Sequence, residues 1–156
     1  MTDRIETHRT VDTTPDAIFR VLTDPIGHVA IDSSGMLMDA TGSRVGGVGD
    51  EFVVHMDREA LGDRPLGRYD VTVTITAFEQ DREIAWTVLG PSRPPIGHVY
   101  GYRLEPADGA TLVTSYYDWS DIHPTWRERD VFPVVSEAAL RATLLILERA
   151  VRRGYV

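Results

Sequence analysis

Five histidines, His8, His28, His55, His98 and His123, are the side chains of this chain best suited to move a proton near neutral pH. They lie far apart, with no H-E-x-x-H or other ligand spacing, so no metal centre and no cofactor is expected. His28 with Asp32, His98 beside an aromatic segment, and His123 ahead of the last helix are placed to converge at one mouth. His55 falls on the face opposite Phe52, Val54 and Met56. Two phenols, Tyr102 and Tyr117, complete the short set of catalytic candidates, His28, His98, Tyr102 and Tyr117. Each has a plain structural role as its alternative.

Other chemistries find less support. No serine sits in G-x-S-x-G, so a serine hydrolase is not expected. Gly46-Gly47-Val48-Gly49 lacks the Lys-Ser or Lys-Thr that would contact phosphates, and a strand rather than a helix follows it, so it reads as a turn. Asp50, Glu51, Asp57, Arg58 and Glu59 read as a solvated strand edge and loop rather than a glycosidase acid pair. Of the two arginines inside strand-like segments, Arg103 alternates outward. Arg68 either anchors an acidic ligand or pairs with Asp70 or a neighbouring strand.

These side chains need a scaffold, and Ser136 to Gly154 is its clearest element. On a 3.6-residue period Leu140, Thr143, Leu144, Leu147, Ala150 and Val151 share one face, and Arg141, Glu148, Arg149 and Arg152 the other, with Leu145 off the apolar stripe. Glu137 with Arg141 and Glu148 with Arg152 are favourable i,i+4 pairs, and Gly154 is placed to end the helix. Upstream, Ile5 to Val11 reads as a strand. Thr14-Pro15-Asp16 starts a helix in which the Thr14 side chain accepts from an early N–H and Pro15 takes the first position, and Asp24-Pro25 stops it. A short helical piece, Ile26 to Ile31, and the turn Asp32-Ser33-Ser34-Gly35 follow.

From Gly35 the period becomes two. Gly35 to Ala40, Phe52 to Met56, Val71 to Thr76, Ile84 to Val88, His98 to Leu104 and Thr111 to Trp119 read as consecutive strands joined by turns, hence an antiparallel sheet. Asp121 to Arg129 reads as charged and irregular. The 156 residues suit one domain with a sizeable core. The net charge of −8 argues against nucleic acid as a partner. Without cysteine, disulfides, thiolate metal sites and a cysteine nucleophile are excluded. No run approaches the ~18 apolar residues of a membrane span and the first ten residues have no apolar leader region, so no stable membrane insertion and a cytoplasmic location are expected.

The order of strand, two short helices, about six antiparallel strands and a long terminal helix resembles the helix-grip α+β fold of the START-like, polyketide cyclase/dehydrase-like superfamily called SRPBCC. The segments that carry the likeness are Thr13-Thr14-Pro15-Asp16-Ala17-Ile18-Phe19, Leu22-Thr23-Asp24-Pro25, Val48-Gly49-Asp50-Glu51-Phe52, Ile84-Ala85-Trp86, Tyr102-Arg103-Leu104-Glu105-Pro106, Gly109-Ala110-Thr111-Leu112-Val113-Thr114 and Tyr117-Asp118-Trp119-Ser120. It spans nearly the whole chain and implies a single such domain over residues 1–156, in which a curved antiparallel sheet wraps the last helix.

The resemblance further implies an apolar cavity between sheet and helix. Strand parity would line it with Phe52, Val54, Met56, Val71, Val73, Ile75, Trp86, Tyr102, Leu104, Val113, Tyr117 and Trp119, faced by Leu140, Leu144 and Leu147. Arg68 is an added ligand-binding candidate. The alternative is that the aromatics simply fill a core. Three functions follow. The first is binding of a hydrophobic small molecule such as a lipid, polyketide or aromatic metabolite. The second is a cyclase or dehydratase in which Tyr102, Tyr117, His98 or His28 moves a proton and Arg68 or a tyrosine hydroxyl stabilises an enolate. The third is a protein-interaction module, for which exposed Leu145 is the hint. Ligand identity, turnover, oligomeric state and pathway stay open.

Overall fold

The computed structural model describes residues 3–154. β1 (Arg4–Val11) leads into α1 (Pro15–Thr23) and α2 (Pro25–Ala30). Then come β2 (Leu37–Thr41), β3 (Glu51–Asp57), a 3-10 turn at Glu59–Leu61, β4 (Arg68–Glu79), β5 (Glu83–Leu89), β6 (Val99–Ala107) and β7 (Ala110–Asp118). The short α3 (Pro124–Glu128) and the long α4 (Glu137–Arg152) close the sequence of elements. One antiparallel sheet runs β1-β7-β6-β5-β4-β3-β2. The α1–α2 pair therefore carries the chain from one sheet edge to the other, and the curved sheet grips α4, as a helix-grip fold requires.

Local chemistry explains the breaks. Asp24 is extended (φ −93°, ψ 123°), which ends α1 before Pro25, and its carboxylate accepts from the Ile26 N–H at 3.0 Å to start α2. Thr14 occupies the N-cap of α1, but its side chain caps no helical N–H. Its hydroxyl hydrogen-bonds Asp16 instead, and that bond is the main cause holding the Asp16 carboxyl below the usual range. Ser136 caps α4 by accepting from Ala139 N–H at 3.1 Å, and both i,i+4 pairs form, Arg141 to Glu137 at 2.7 Å and Arg152 to Glu148 at 3.3 Å. The expectation of irregular chain over 121–129 needs correction. Pro124–Glu128 is helical, started by the His123 ring, which accepts from Thr125 N–H at 3.2 Å. This single turn buries no residue, so it leaves no apolar period in the sequence.

Pairing register decides which side chains meet. Ile75 lies opposite Trp86, Trp86 opposite Tyr100, and Tyr100 opposite Tyr117, so one aromatic row crosses β5, β6 and β7 on the inner face. The core joins this face to α1 and the middle of α4 through Val11, Ile18, Phe19, Leu22, Ile84, Leu104, Val113, Leu144 and Leu147. A second cluster gathers Tyr117, Trp119, Ile122 and Leu140. On the outer face the Tyr116 ring lies flat over Gly101, where a Cβ would collide with it. The Arg4 guanidinium caps that ring at 4.0 Å, and Arg103 turns outward to Glu6 at 2.7 Å.

Candidate functional site

A cavity of about 560 Å³ lies between the inner face of β3–β6 and the N-terminal half of α4. Its existence follows from the side chains on that half-helix. Ser136, Ala139 and Thr143 are short and leave space between α4 and the sheet unfilled, whereas Leu144 and Leu147 are fully buried and fill it. The sheet wall is Val54, Met56, Val71, Val73, Trp86, Val88, Tyr100 and Tyr102. Two loops close the sides, Ile31 to Leu37 and Pro133 to Val135.

The first of these loops is held by its own acid. Asp32 accepts from the N–H groups of Ser34, Gly35 and Leu37 at 3.0, 2.9 and 3.2 Å, so its carboxylate is engaged in the turn. Ser33 Oγ lies 2.9 Å from Thr143 Oγ1 and ties the loop to α4. Arg58 donates to Met36 Sδ at 3.0 Å while binding Asp63 through two nitrogens at 2.9 and 2.7 Å, which fastens the β3–β4 turn to the same loop.

Burial sets the charge state of the lining. His28 sits edge-on between Phe52 and Trp86, with ring centroids 5.0 and 4.7 Å away, and desolvation pushes its pKa down to about 4. Its Nε2 donates to the Leu22 carbonyl at 2.8 Å, because a carbonyl can only accept, and this fixes the neutral tautomer with an unprotonated Nδ1. Burial raises the Tyr102 phenol to about 12 against the smaller opposing pull of the Ser115 hydroxyl, and raises Tyr100 further. Among the described residues no lysine or arginine lines the cavity, and Asp32 is the one carboxylate that does. At neutral pH the wall is therefore apolar, with neutral imidazole and phenol groups set into it.

A family model described as polyketide cyclase / dehydrase and lipid transport matches residues 2–152. The chain belongs to this family. Solved structures give the same fold at low identity. A Chromobacterium violaceum protein is 17% identical with a TM-score of 0.66, covering 97% of this chain and 98% of the other. A Mycobacterium smegmatis protein is 12% identical with a TM-score of 0.69 over 97% and 92%. The Aha1 dimer of Colwellia psychrerythraea is 18% identical with a TM-score of 0.61 over 98% of each chain. No curated protein matches.

Within this polyketide cyclase/dehydrase-family chain, Val54, Met56, Val71, Val73, Trp86, Tyr102 and Leu140 of the sequence-derived lining set line the cavity. Phe52, Ile75, Leu104, Val113, Leu144 and Leu147 do not; they belong to the solid core. Tyr117 and Trp119 face the second cluster. Arg68 points away, its side chain 86% exposed and 3.6 Å from Asp57 on the paired strand. Among the catalytic candidates His28 and Tyr102 line the cavity. His98 and Tyr117 instead bond each other, Nδ1 to hydroxyl at 2.7 Å, and His98 is pushed down to about 4 by desolvation. His123 caps α3 on the surface, so the expected convergence of three histidines at one mouth does not occur.

Tyr100 and Val88 also line the cavity, and each shares its strand alternation with a residue of the expected set, Tyr102 and Trp86. Ser115, on the alternation of Val113 and Tyr117, lines it as well. The loop residues Met36, Leu37 and Pro133 to Val135 carry no periodic signal at all. Among the described residues no group of three or more His, Asp or Glu side chains is placed to hold a metal ion, and no helix is long and apolar enough to cross a membrane.

Proposed function

We infer that the protein binds one hydrophobic small molecule, a lipid, polyketide or aromatic metabolite, between the sheet and the N-terminal half of α4. The observation that carries this reading is the 560 Å³ cavity itself, a size typical of small-molecule sites, with a wall made mainly of aliphatic and aromatic side chains. Membership of a family described by polyketide and lipid chemistry supports it. An environment-sensitive apolar dye titrated against the folded protein saturates at about one site per chain, as a single main pocket requires. Ala139→Trp, which projects an indole into the cavity from α4, removes that saturation while leaving the circular dichroism spectrum intact. Absence of saturable binding in the unaltered protein overturns the reading.

A cyclase- or dehydratase-type reaction in the same cavity is the second reading. One observation favours it: His28 and Tyr102, a base and an acid that burial keeps neutral, line the same wall on either side of Trp86. Incubation with a poly-β-ketone mimic and mass analysis tests it. Loss of one water from the mimic, abolished in Tyr102→Phe, is the expected result, and unchanged mimic excludes it.

A further inference from the structure

Most polar groups at the cavity wall are already used. Asp32 serves its turn, Ser136 caps α4 and Ser33 bonds Thr143. His28 differs. Its Nε2–H is spent on Leu22, and Nδ1 has no hydrogen-bond partner among the described residues. Every fully enclosed side-chain nitrogen or oxygen among those residues does have a partner. The His28 ring is 93% buried (7% exposed), so the open surface left to Nδ1 is the cavity that the ring lines. It is a built acceptor without a donor, and an acceptor of this kind left dry is costly.

Resting on the cavity reading above, we propose that His28 determines specificity: the ligand is a neutral, flat, apolar molecule bearing a hydroxyl, and that hydroxyl donates to His28 Nδ1. Neutrality follows from the lining, which offers no cation to offset an anionic ligand's lost hydration. Flatness follows from the near-parallel rings of Trp86, Tyr100 and Tyr102, inclined by 11° and 25° to the indole. The tautomer lock makes the acceptor one-directional. With its proton held on Nε2 by Leu22, the imidazole cannot present a donor to a ligand carbonyl from Nδ1 without breaking that bond or becoming charged in a site that resists charge.

The test compares three probes of one shape, naphthalene, 2-naphthol and 2-naphthoate, at pH 7.5. All should report through Trp fluorescence, with 2-naphthoate at least tenfold weaker than 2-naphthol. In protein carrying nitrogen-15 in its histidines, 2-naphthol should move the unprotonated Nδ1 resonance of His28 upfield, the signature of an accepted hydrogen bond, and naphthalene should leave it in place. His28→Phe should weaken 2-naphthol about tenfold and spare naphthalene; should that variant not fold, the resonance of the unaltered protein decides. Naphthalene and 2-naphthol binding with no movement of Nδ1 overturns the role of His28 and leaves the cavity reading standing. Binding of 2-naphthoate as tight as 2-naphthol overturns neutrality. If neither neutral probe binds, the cavity reading falls and this inference with it.

Discussion

At the scale of single residues, the two buried histidines make stability depend on pH in a window of their own. Both have folded-state pKa values of about 4 against an ordinary 6.5. Between those values the unfolded chain binds more protons than the folded one, so stability is complete above pH 6.5 and falls as the pH drops toward 4. The loss amounts to at most about 3 kcal/mol for each histidine. Carboxylates held below their usual range, such as Asp118, where desolvation is outweighed by hydrogen bonds from Ser120 and Arg4, act only at lower pH, so the decline from pH 6.5 to 5 belongs to the histidines. Urea unfolding across that range measures it, and a flat profile would show that both rings are hydrated. Tyr117→Phe removes the partner of His98 Nδ1 and should destabilise by about 1 to 3 kcal/mol. Unchanged urea midpoints would mean that water replaces the hydroxyl. The sequence named all four of these catalytic candidates, but residue type alone could not separate the pair facing the cavity from the pair facing each other. That division is set by cross-strand register, which places Tyr117 opposite Tyr100 and hence one strand beyond the cavity wall.

At the scale of elements, α4 does two jobs along one apolar stripe, and its halves should respond differently to truncation. Leu144 is fully buried against the sheet and should cost about 2 to 5 kcal/mol when cut to alanine, whereas Leu145, 48% exposed, should cost under about 0.5 kcal/mol. Urea unfolding of both variants checks the pair, and equal large losses would mean that the helix is rotated from the position described. The stripe was plain in the sequence because a period of 3.6 needs only residue types. What the period could not show is where the stripe touches its partner: Leu140, Leu144 and Leu147 look alike in sequence, yet only Leu140 lines the cavity. The difference comes from the short neighbours Ala139 and Thr143, which leave the space beside Leu140 unfilled. Strands were legible for the same reason as the helix, through alternation. α3 was not, since a surface turn with no buried residue owes its helicity to His123 and Pro124 rather than to any pattern.

At the scale of the whole molecule, the sheet holds two aromatic territories joined through Tyr100, and the three tryptophans are divided between them. Trp86 lines the cavity, whereas Trp119 packs with Tyr117, Ile122 and Leu140 in the second cluster. Strand parity put both indoles inside, correctly, but treated inside as a single place; a curved sheet that touches α4 over β1 and β7 and parts from it over β3 to β6 has a dry end and an open one. Trp126 is neither loop nor free, since it sits in α3 with its indole N–H donating to the Pro94 carbonyl at 2.7 Å and the Arg129 guanidinium 4.6 Å from its ring. It should be quenched more readily than the other two but less than a solvated indole. Ligand binding therefore has one principal reporter. In single Trp→Phe variants titrated with an apolar ligand, Trp86→Phe should abolish most of the emission shift, Trp119→Phe should keep it, and Trp126→Phe should remove most of the acrylamide-quenchable signal of the free protein. Were the shift to vanish with Trp119 and survive loss of Trp86, the ligand would lie in the second cluster beside His98 and Tyr117, and the open end of the sheet would have to be assigned a different use.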